Sequence, residues 1–281
     1  MSGAGHDPNK APATGAFFIA CCLLLAIPGP VRAQAGIVAP APVQVAEGCP
    51  LDRIDEQVEV RQVFDGDTVL LRDGRTVRLL GINTPELAHD GRPAEPLAVE
   101  ARRALVTLLK QADSVGLRYG PQSLDRYHRT LAHLIIDGRI NVQQILLRRG
   151  LALAITVPPD LWQLDCYRQA EVYARDRRLG VWSLDYYRAG DVGQQSPGRG
   201  GFQFIQGHIL HVGRSADTVW LDLAGDVSLR IDRADWMYFP HQDWGSWLGR
   251  DIVARGWLYR SRDQWQLRIR HPQNITVMSD E

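Results

Sequence analysis

The stretch VEVRQVFDGDTVLLRDGRTVRLLGI, Val58 to Ile82, decides the fold class. Its segments VEVRQVF, DTVLLRDG and RTVRLLGI are rich in β-branched residues and alternate in polarity, the period of a strand with one buried face. Asp73-Gly74 marks a hairpin turn between the second and third. Between the first and second stand Asp65 and Asp67, with Gly66 between them. Asp-Gly is a common turn dipeptide. Clustered carboxylate oxygens are also what a hard cation needs. Taken alone, the stretch favours the turn.

Outward from it, PLAVEARRALVTLLKQ spaces Leu97, Ala101, Ala104, Leu105 and Leu108 as a helix does. SVGLRYG and RTLAHLIIDG read as two further strands. INVQQILLRRGL reads as a helix stopping at Gly150, and DLWQLDCYRQAEVYARDRRLG as one stopping at Gly180. Three strands, a helix, two strands and two helices suit a small closed barrel of the OB type. RAGDVGQQSPGRGG, dense in turn formers, reads as a domain boundary. Beyond it FQFIQGHILHV, TVWLDLA, VSLRIDR, DIVARGWLY and WQLRIRH again give about five strands, with the aromatic insertion WMYFPHQDWGSWLG after the third. The expected fold class is therefore mainly β with α: an OB-fold barrel plus helices, followed by a second small OB-like β-barrel. No sequence repeat relates the two.

The 281 residues are enough for two modest domains, and 45% hydrophobic residues exclude global disorder. Lys+Arg and Asp+Glu balance at 32 each, so no basic excess announces a nucleic-acid binder. The cations are nearly all arginine, Lys10 and Lys110 being the lysines. Arginine fits phosphate in bidentate fashion, although a codon bias gives the same excess. The apolar run from Ala16 to Ile27, followed by VRA ending at Ala33, reads as a secretory signal peptide. The expected organisation is signal peptide at 1–33, linker at 34–50, first domain at 51–187, linker at 188–201 and accessory barrel at 202–281. Removing the signal removes Cys21 and Cys22 and leaves Cys49 and Cys166, an even pair that suggests a disulfide in an exported protein.

Three motifs stand in order: DGDT at Asp65–Thr68, RLLGINTPE at Arg78–Glu86 and DRYHR at Asp125–Arg129, closed by GVW at 180–182. Over roughly Val58 to Trp182 this set resembles the staphylococcal nuclease (thermonuclease) family. The resemblance implies an OB barrel with helices and calcium-dependent hydrolysis of phosphodiesters in DNA and RNA. It implies that Asp67, Asn83 and the Thr84 carbonyl hold Ca2+, with Asp65 supporting Asp67 from behind. It makes Glu86 the residue that activates water, and Arg78 and Arg129 the donors to the phosphoryl oxygens. Tyr127 matches a family tyrosine, and with Arg126 it is expected on the substrate. Two departures stand out. Asn83 is aspartate in the best-known members, and Ile155 and Val157 stand where family aromatics line the nucleotide site. His89 and His128 read as loop or rim residues.

The rival expectation is a nucleic-acid-binding or protein-docking module without catalysis, supported by Asn83 and the neutral net charge; the complete Arg-Glu-Arg set favours the hydrolase. The expected partner is DNA or RNA, with no stable protein partner, no membrane span after signal removal, a monomeric state, and a periplasmic or secreted location. The second barrel holds six of the eight tryptophans, which read mostly as core. Alternation puts Trp220 with Asp222 opposite Val219, Leu221 and Leu223, and Arg268 with Arg270 opposite Leu267 and Ile269. Such a face could stack single-stranded bases, and a structural barrel fits it equally well.

Overall fold

The computed structural model describes residues 48–89, 91–239 and 243–278. The signal peptide and most of the first linker therefore lie outside the described residues.

The hairpin stretch forms β2 (Val60–Val63), β3 (Thr68–Leu71) and β4 (Thr76–Leu79), after a short β1 (Glu56–Gln57) and before β5 (Ile82–Asn83). Then follow α1 (Ala98–Gln111), β6 (Val115–Leu124), β7 (Thr130–Ile136), β8 (Ile140–Asn141), α2 (Val142–Arg148), β9 (Leu153–Ala154) and α3 (Leu164–Asp176). The first sheet runs β1-β6-β7-β4-β3-β2, with β8 on β7. It is a curled sheet whose end strands β1 and β2 stand two residues apart on one segment, 56–63, which pairs with β6 at one end and with β3 at the other, as the expected OB-type barrel requires. β5 and β9 leave the sheet and pair with each other. Alternation buries Val69, Leu71, Val77 and Leu79 on one face, where α1 covers them with Leu105 and Leu108 and α2 adds Val142 and Leu146.

The second sheet contains β10 (Gly190–Asp191), β11 (Gly201–Arg214), β12 (Thr218–Leu223), β13 (Val227–Asp232), β14 (Asp251–Ser261), β15 (Gln264–Arg268) and β16 (Ile275–Val277). Its order is β10-β11-β12-β13-β15-β14-β16, and an added β11–β14 pairing closes five of these strands into a ring. Counting β2 and β11 as first strands, both sheets follow the order first, second, third, fifth, fourth, with the third and fifth parallel. The aromatic insertion is not strand: Arg233–Tyr238 and Trp244–Trp247 are 3-10 turns. The six tryptophans are less buried than expected. Trp247 is in the core, Trp236, Trp244 and Trp265 pack at its edge, and Trp257 is 44% exposed.

The two sheets meet through an apolar cluster of Leu153, Ile155, Val181, Tyr187, Phe202 and Phe204. Ile155 is thus used in packing against the second barrel. Beside this cluster Arg255 of β14 donates through Nη1 to Glu171 Oε1 and Oε2 of α3 at 2.8 and 2.7 Å, and to the Ala154 carbonyl at 3.0 Å. Glu171 also accepts the Ala154 N–H at 2.8 Å. A buried pair of this kind fixes geometry, because removing one partner strands the other's charge. The Asn274 side chain adds a second tie, accepting from Thr156 N–H at 3.2 Å and donating to Thr156 O at 2.7 Å.

At Gly150 the chain turns with φ +66, and a Cβ there would lie 2.1 Å from the Leu179 carbonyl oxygen. Glycine is required by both the angle and the contact.

Cys49 and Cys166 form the expected disulfide across 117 residues, joining the segment before β1 to α3. In the chain-entropy picture a loop of that size contributes about 4–5 kcal/mol as an upper figure. Cys49→Ser with Cys166→Ser is therefore expected to lower the urea midpoint markedly. An unchanged midpoint under non-reducing conditions would contradict the assignment.

Candidate active site

Backbone pairing brings the first two motifs together. Thr68 pairs with Arg78 across β3 and β4, and the Leu79 N–H donates to the Asp67 carbonyl at 2.8 Å. Asn83 is held at the end of β5 by pairing with Leu153. Asp67 is 4% exposed, so its carboxylate must be satisfied from within the protein. Thr84 donates to Oδ2 through its N–H at 2.8 Å and its hydroxyl at 3.1 Å. The Thr68 hydroxyl donates to Oδ1 at 3.2 Å, and Arg78 Nη2 lies 3.2 Å from Oδ2. The same Nη2 donates to Asn83 Oδ1 at 3.3 Å. One cationic nitrogen thus stands between an oxygen of Asp67 and an oxygen of Asn83.

The opening ambiguity of DGDT resolves in both directions at once. Asp65 Oδ1 accepts the Asp67 N–H at 2.9 Å, an Asx turn. That turn aims Asp67 inward. Gly66 lets the turn approach Thr84, since a Cβ there would meet the Thr84 side chain at 2.8 Å. Burial, with the neighbouring Asp67 charge added, pushes the Asp65 carboxyl up to about 7.

Glu86 follows Pro85 at the start of the next loop. Its N–H donates to Glu95 Oε2 at 3.0 Å. Its side chain reaches solvent, yet desolvation by the surrounding protein, then Asp67, raises its carboxyl above the ordinary range while Arg78 opposes them. Arg129 is fixed by its own turn: Nε donates to Asp125 Oδ2 at 2.7 Å, and Asp125 Oδ1 accepts the N–H groups of Tyr127 and Arg129. Arg126 Nη2 donates to the Tyr127 hydroxyl at 2.7 Å, and both residues are exposed. The DRYHR turn forms a cluster separate from Asp67, with no hydrogen bond joining the two among the described residues. The strands bring them near, since Val77 of β4 pairs with Thr130, the residue after Arg129. His89 and His128 are exposed loop residues.

Among the described residues no group of three or more His, Cys, Asp or Glu is placed to hold a metal. The candidate donor set is of another kind: one buried carboxylate on Asp67, the Asn83 amide oxygen, and the Thr84 carbonyl. Asn83 Nδ2 donates to that carbonyl at 3.3 Å, so the latter two lie side by side. All three are hard oxygens, and a guanidinium nitrogen already lies between two of the side chains. The residues fit a hard cation with few charged ligands. Sequence reasoning missed Glu95, which sits nine residues beyond Glu86 in a loop without periodicity and carries no motif.

Residues 76–184 match the family described as Staphylococcal nuclease homologue. The chain is 35% identical over 135 residues to the thermonuclease of Staphylococcus intermedius, covering 45% of this chain and 76% of that protein. To the thermonuclease of Staphylococcus hyicus it is 32% identical over 137 residues, covering 47% and 80%. The chain belongs to the staphylococcal nuclease family. Endonuclease YncB of Bacillus subtilis is a further relative, 30% identical over 135 residues, with 46% of this chain and 63% of that protein covered. Membership and these relatives support a phosphodiester-hydrolysing nuclease, and nucleases of this family are generally metal-dependent. The family match stops at residue 184, before β11 begins.

Thr84 gives Asp67 two of its donors, so Thr84→Val removes the hydroxyl while keeping shape and backbone bond. A hydrogen bond to a charged group contributes about 1.5–3 kcal/mol. The variant is expected to lose about that much unfolding free energy, read as a lower urea midpoint; an unchanged midpoint would show that the hydroxyl does not serve the buried carboxylate.

Proposed function

We propose that the protein is an exported, calcium-dependent nuclease that hydrolyses phosphodiester bonds in DNA, RNA or both. In this reading residues 51–187 are the nuclease domain and residues 202–281 an accessory OB-like domain. The observation that carries it is the convergence of the Asp67 and Asn83 oxygens on one cationic nitrogen, beside Glu86 and one strand from Arg129. The Cys49–Cys166 disulfide supports an oxidising compartment. Among the described residues no helix is long and apolar enough to cross a membrane.

Asp67, Asn83 and the Thr84 carbonyl would hold the cation, with Asp65 shaping the turn behind Asp67. A bound hard cation would offset phosphate charge that otherwise repels the attacking water and would stabilise charge as it develops. Glu86 carries the proton chemistry. A carboxylate with raised proton affinity is a better acceptor from water near neutrality than an ordinary one. Arg129, locked through Nε, directs its terminal nitrogens to equatorial phosphoryl oxygens without reorganising, and Arg78 donates from β4. Tyr127 and Arg126, exposed on the same turn, contact the substrate chain. One observation favours the rival module without catalysis: Arg78 itself neutralises Asp67.

The deciding experiment incubates the purified protein with single-stranded DNA and with RNA, in calcium and in chelator. Cleavage is expected in calcium and absent in chelator. Glu86→Gln and Arg129→Ala should each lower kcat about 10²–10³-fold with an unaltered circular dichroism spectrum, by analogy with a lost oxyanion donor. No cleavage of either substrate in calcium would overturn the proposal in favour of the binding module.

A further inference from the structure

The carboxylate of Glu95 is a junction between the catalytic loop and the segment that joins the two sheets. Its Oε2 accepts the Glu86 N–H at 3.0 Å, and the Glu95 N–H donates to the Glu86 carbonyl at 2.8 Å. Glu86 is therefore held on both sides of its backbone by one residue. Oε1 of the same carboxylate accepts from the Tyr186 hydroxyl at 3.1 Å and from Arg199 Nη1 at 3.1 Å. Arg199 lies over the Tyr186 ring at 4.0 Å. The Arg199 carbonyl accepts from the side chain of Gln203 on β11, and the Tyr187 hydroxyl donates to the Pro96 carbonyl at 2.6 Å. Tyr186 and Arg199 both lie beyond residue 184, outside the family match.

We infer that Glu95, oriented by Tyr186 and Arg199, is a positioning residue for Glu86, so that the connection to the second barrel sets turnover at the first. The inference rests on the role proposed for Glu86. Its physical basis is that a carboxylate with two oxygens can be aimed only if both are held. Oε1 is held from the connecting segment and Oε2 then meets the Glu86 N–H. Without the Arg199 guanidinium, Glu95 loses its charge-assisted bond and turns toward water. The Glu86 N–H then loses its fixed acceptor, and the loop end gains freedom. Small misplacements of a catalytic group, about 1 Å, cost up to about 10²-fold in rate.

The test compares wild type, Arg199→Ala, Arg199→Lys, Tyr186→Phe, Glu86→Gln and the double variant Glu86→Gln with Arg199→Ala. Steady-state cleavage of single-stranded DNA in calcium is measured together with hydrogen exchange of the Glu86 amide. Arg199→Ala is expected to lower kcat about tenfold with KM unchanged and to speed exchange at Glu86. Arg199→Lys, which keeps the charge, should recover part of the loss. Tyr186→Phe, which preserves volume, should give a smaller decrease of the same kind. In the Glu86→Gln background Arg199→Ala should have no further effect, because the two act through one group. Normal kcat in Arg199→Ala, or an undiminished loss in the Glu86→Gln background, would overturn the inference while leaving the role of Glu86 standing. Normal turnover in Glu86→Gln would overturn the role of Glu86 and the inference with it.

Discussion

The rest of the molecule is arranged around one negative charge taken out of water. An ionised carboxylate in a protein interior costs several kcal/mol unless donors replace its hydration. Asp67, at 4% exposure, has four: the Thr84 N–H and hydroxyl, the Thr68 hydroxyl and Arg78. Each has a structural requirement of its own. Thr68 and Arg78 must be in register on β3 and β4, Thr84 must follow β5, and Gly66 must leave room for it. The sheet is thus a device for holding donors around one acceptor. Burial, and after it the Asp67 charge, raises the carboxyls of Asp65 and Glu86 above the ordinary range, with Arg78 opposing.

The second barrel does not stand apart from this arrangement. Arg255 reaches across the interface to Glu171 and the Ala154 carbonyl, on the strand that pairs with Ile82 and Asn83. Arg199 reaches Glu95, at the far end of the loop that begins with Glu86. Two arginines from beyond the family match therefore brace two different sides of the site. Buried or half-buried ion pairs of this kind contribute more to fixed geometry than to net stability. That fits a role in holding loops in place. It also gives a physical use for a second domain without requiring that it bind anything.

Local patterns made most of the fold legible. Alternation gave the long strands of both sheets, and Gly150 ended α2 through its positive φ as expected. Helix starts were less visible. α1 and α3 begin later than their apolar spacing suggests, because Leu97 and Gln163 adopt left-handed backbone angles immediately before them. Which strands bring the ends of each sheet together was not legible, since that depends on pairing between distant strands, β1 with β6 in the first sheet and β11 with β14 in the second. The disulfide could be read because Cys49 and Cys166 are the two cysteines outside the expected signal peptide. Around the candidate site, contiguous motifs were legible in the sequence and contacts made across the interface were not. Arg199 to Glu95 spans 104 residues, and Arg255 to Glu171 spans 84. Both arginines look like solvated surface charges in sequence. The segment at 188–201, read as linker, contains β10 and Arg199.

If Asp67 is the organising charge, its removal should separate folding from metal response. The most direct measurement is the thermal midpoint of wild type and Asp67→Asn, each with and without millimolar calcium and a bound nucleotide. Anything that binds the native state alone raises that midpoint. The account predicts that calcium raises it for wild type, whereas Asp67→Asn still folds cooperatively but shows no calcium-dependent rise. An equal rise in both proteins would contradict it, because the cation would then be held without the carboxylate on which the site is built.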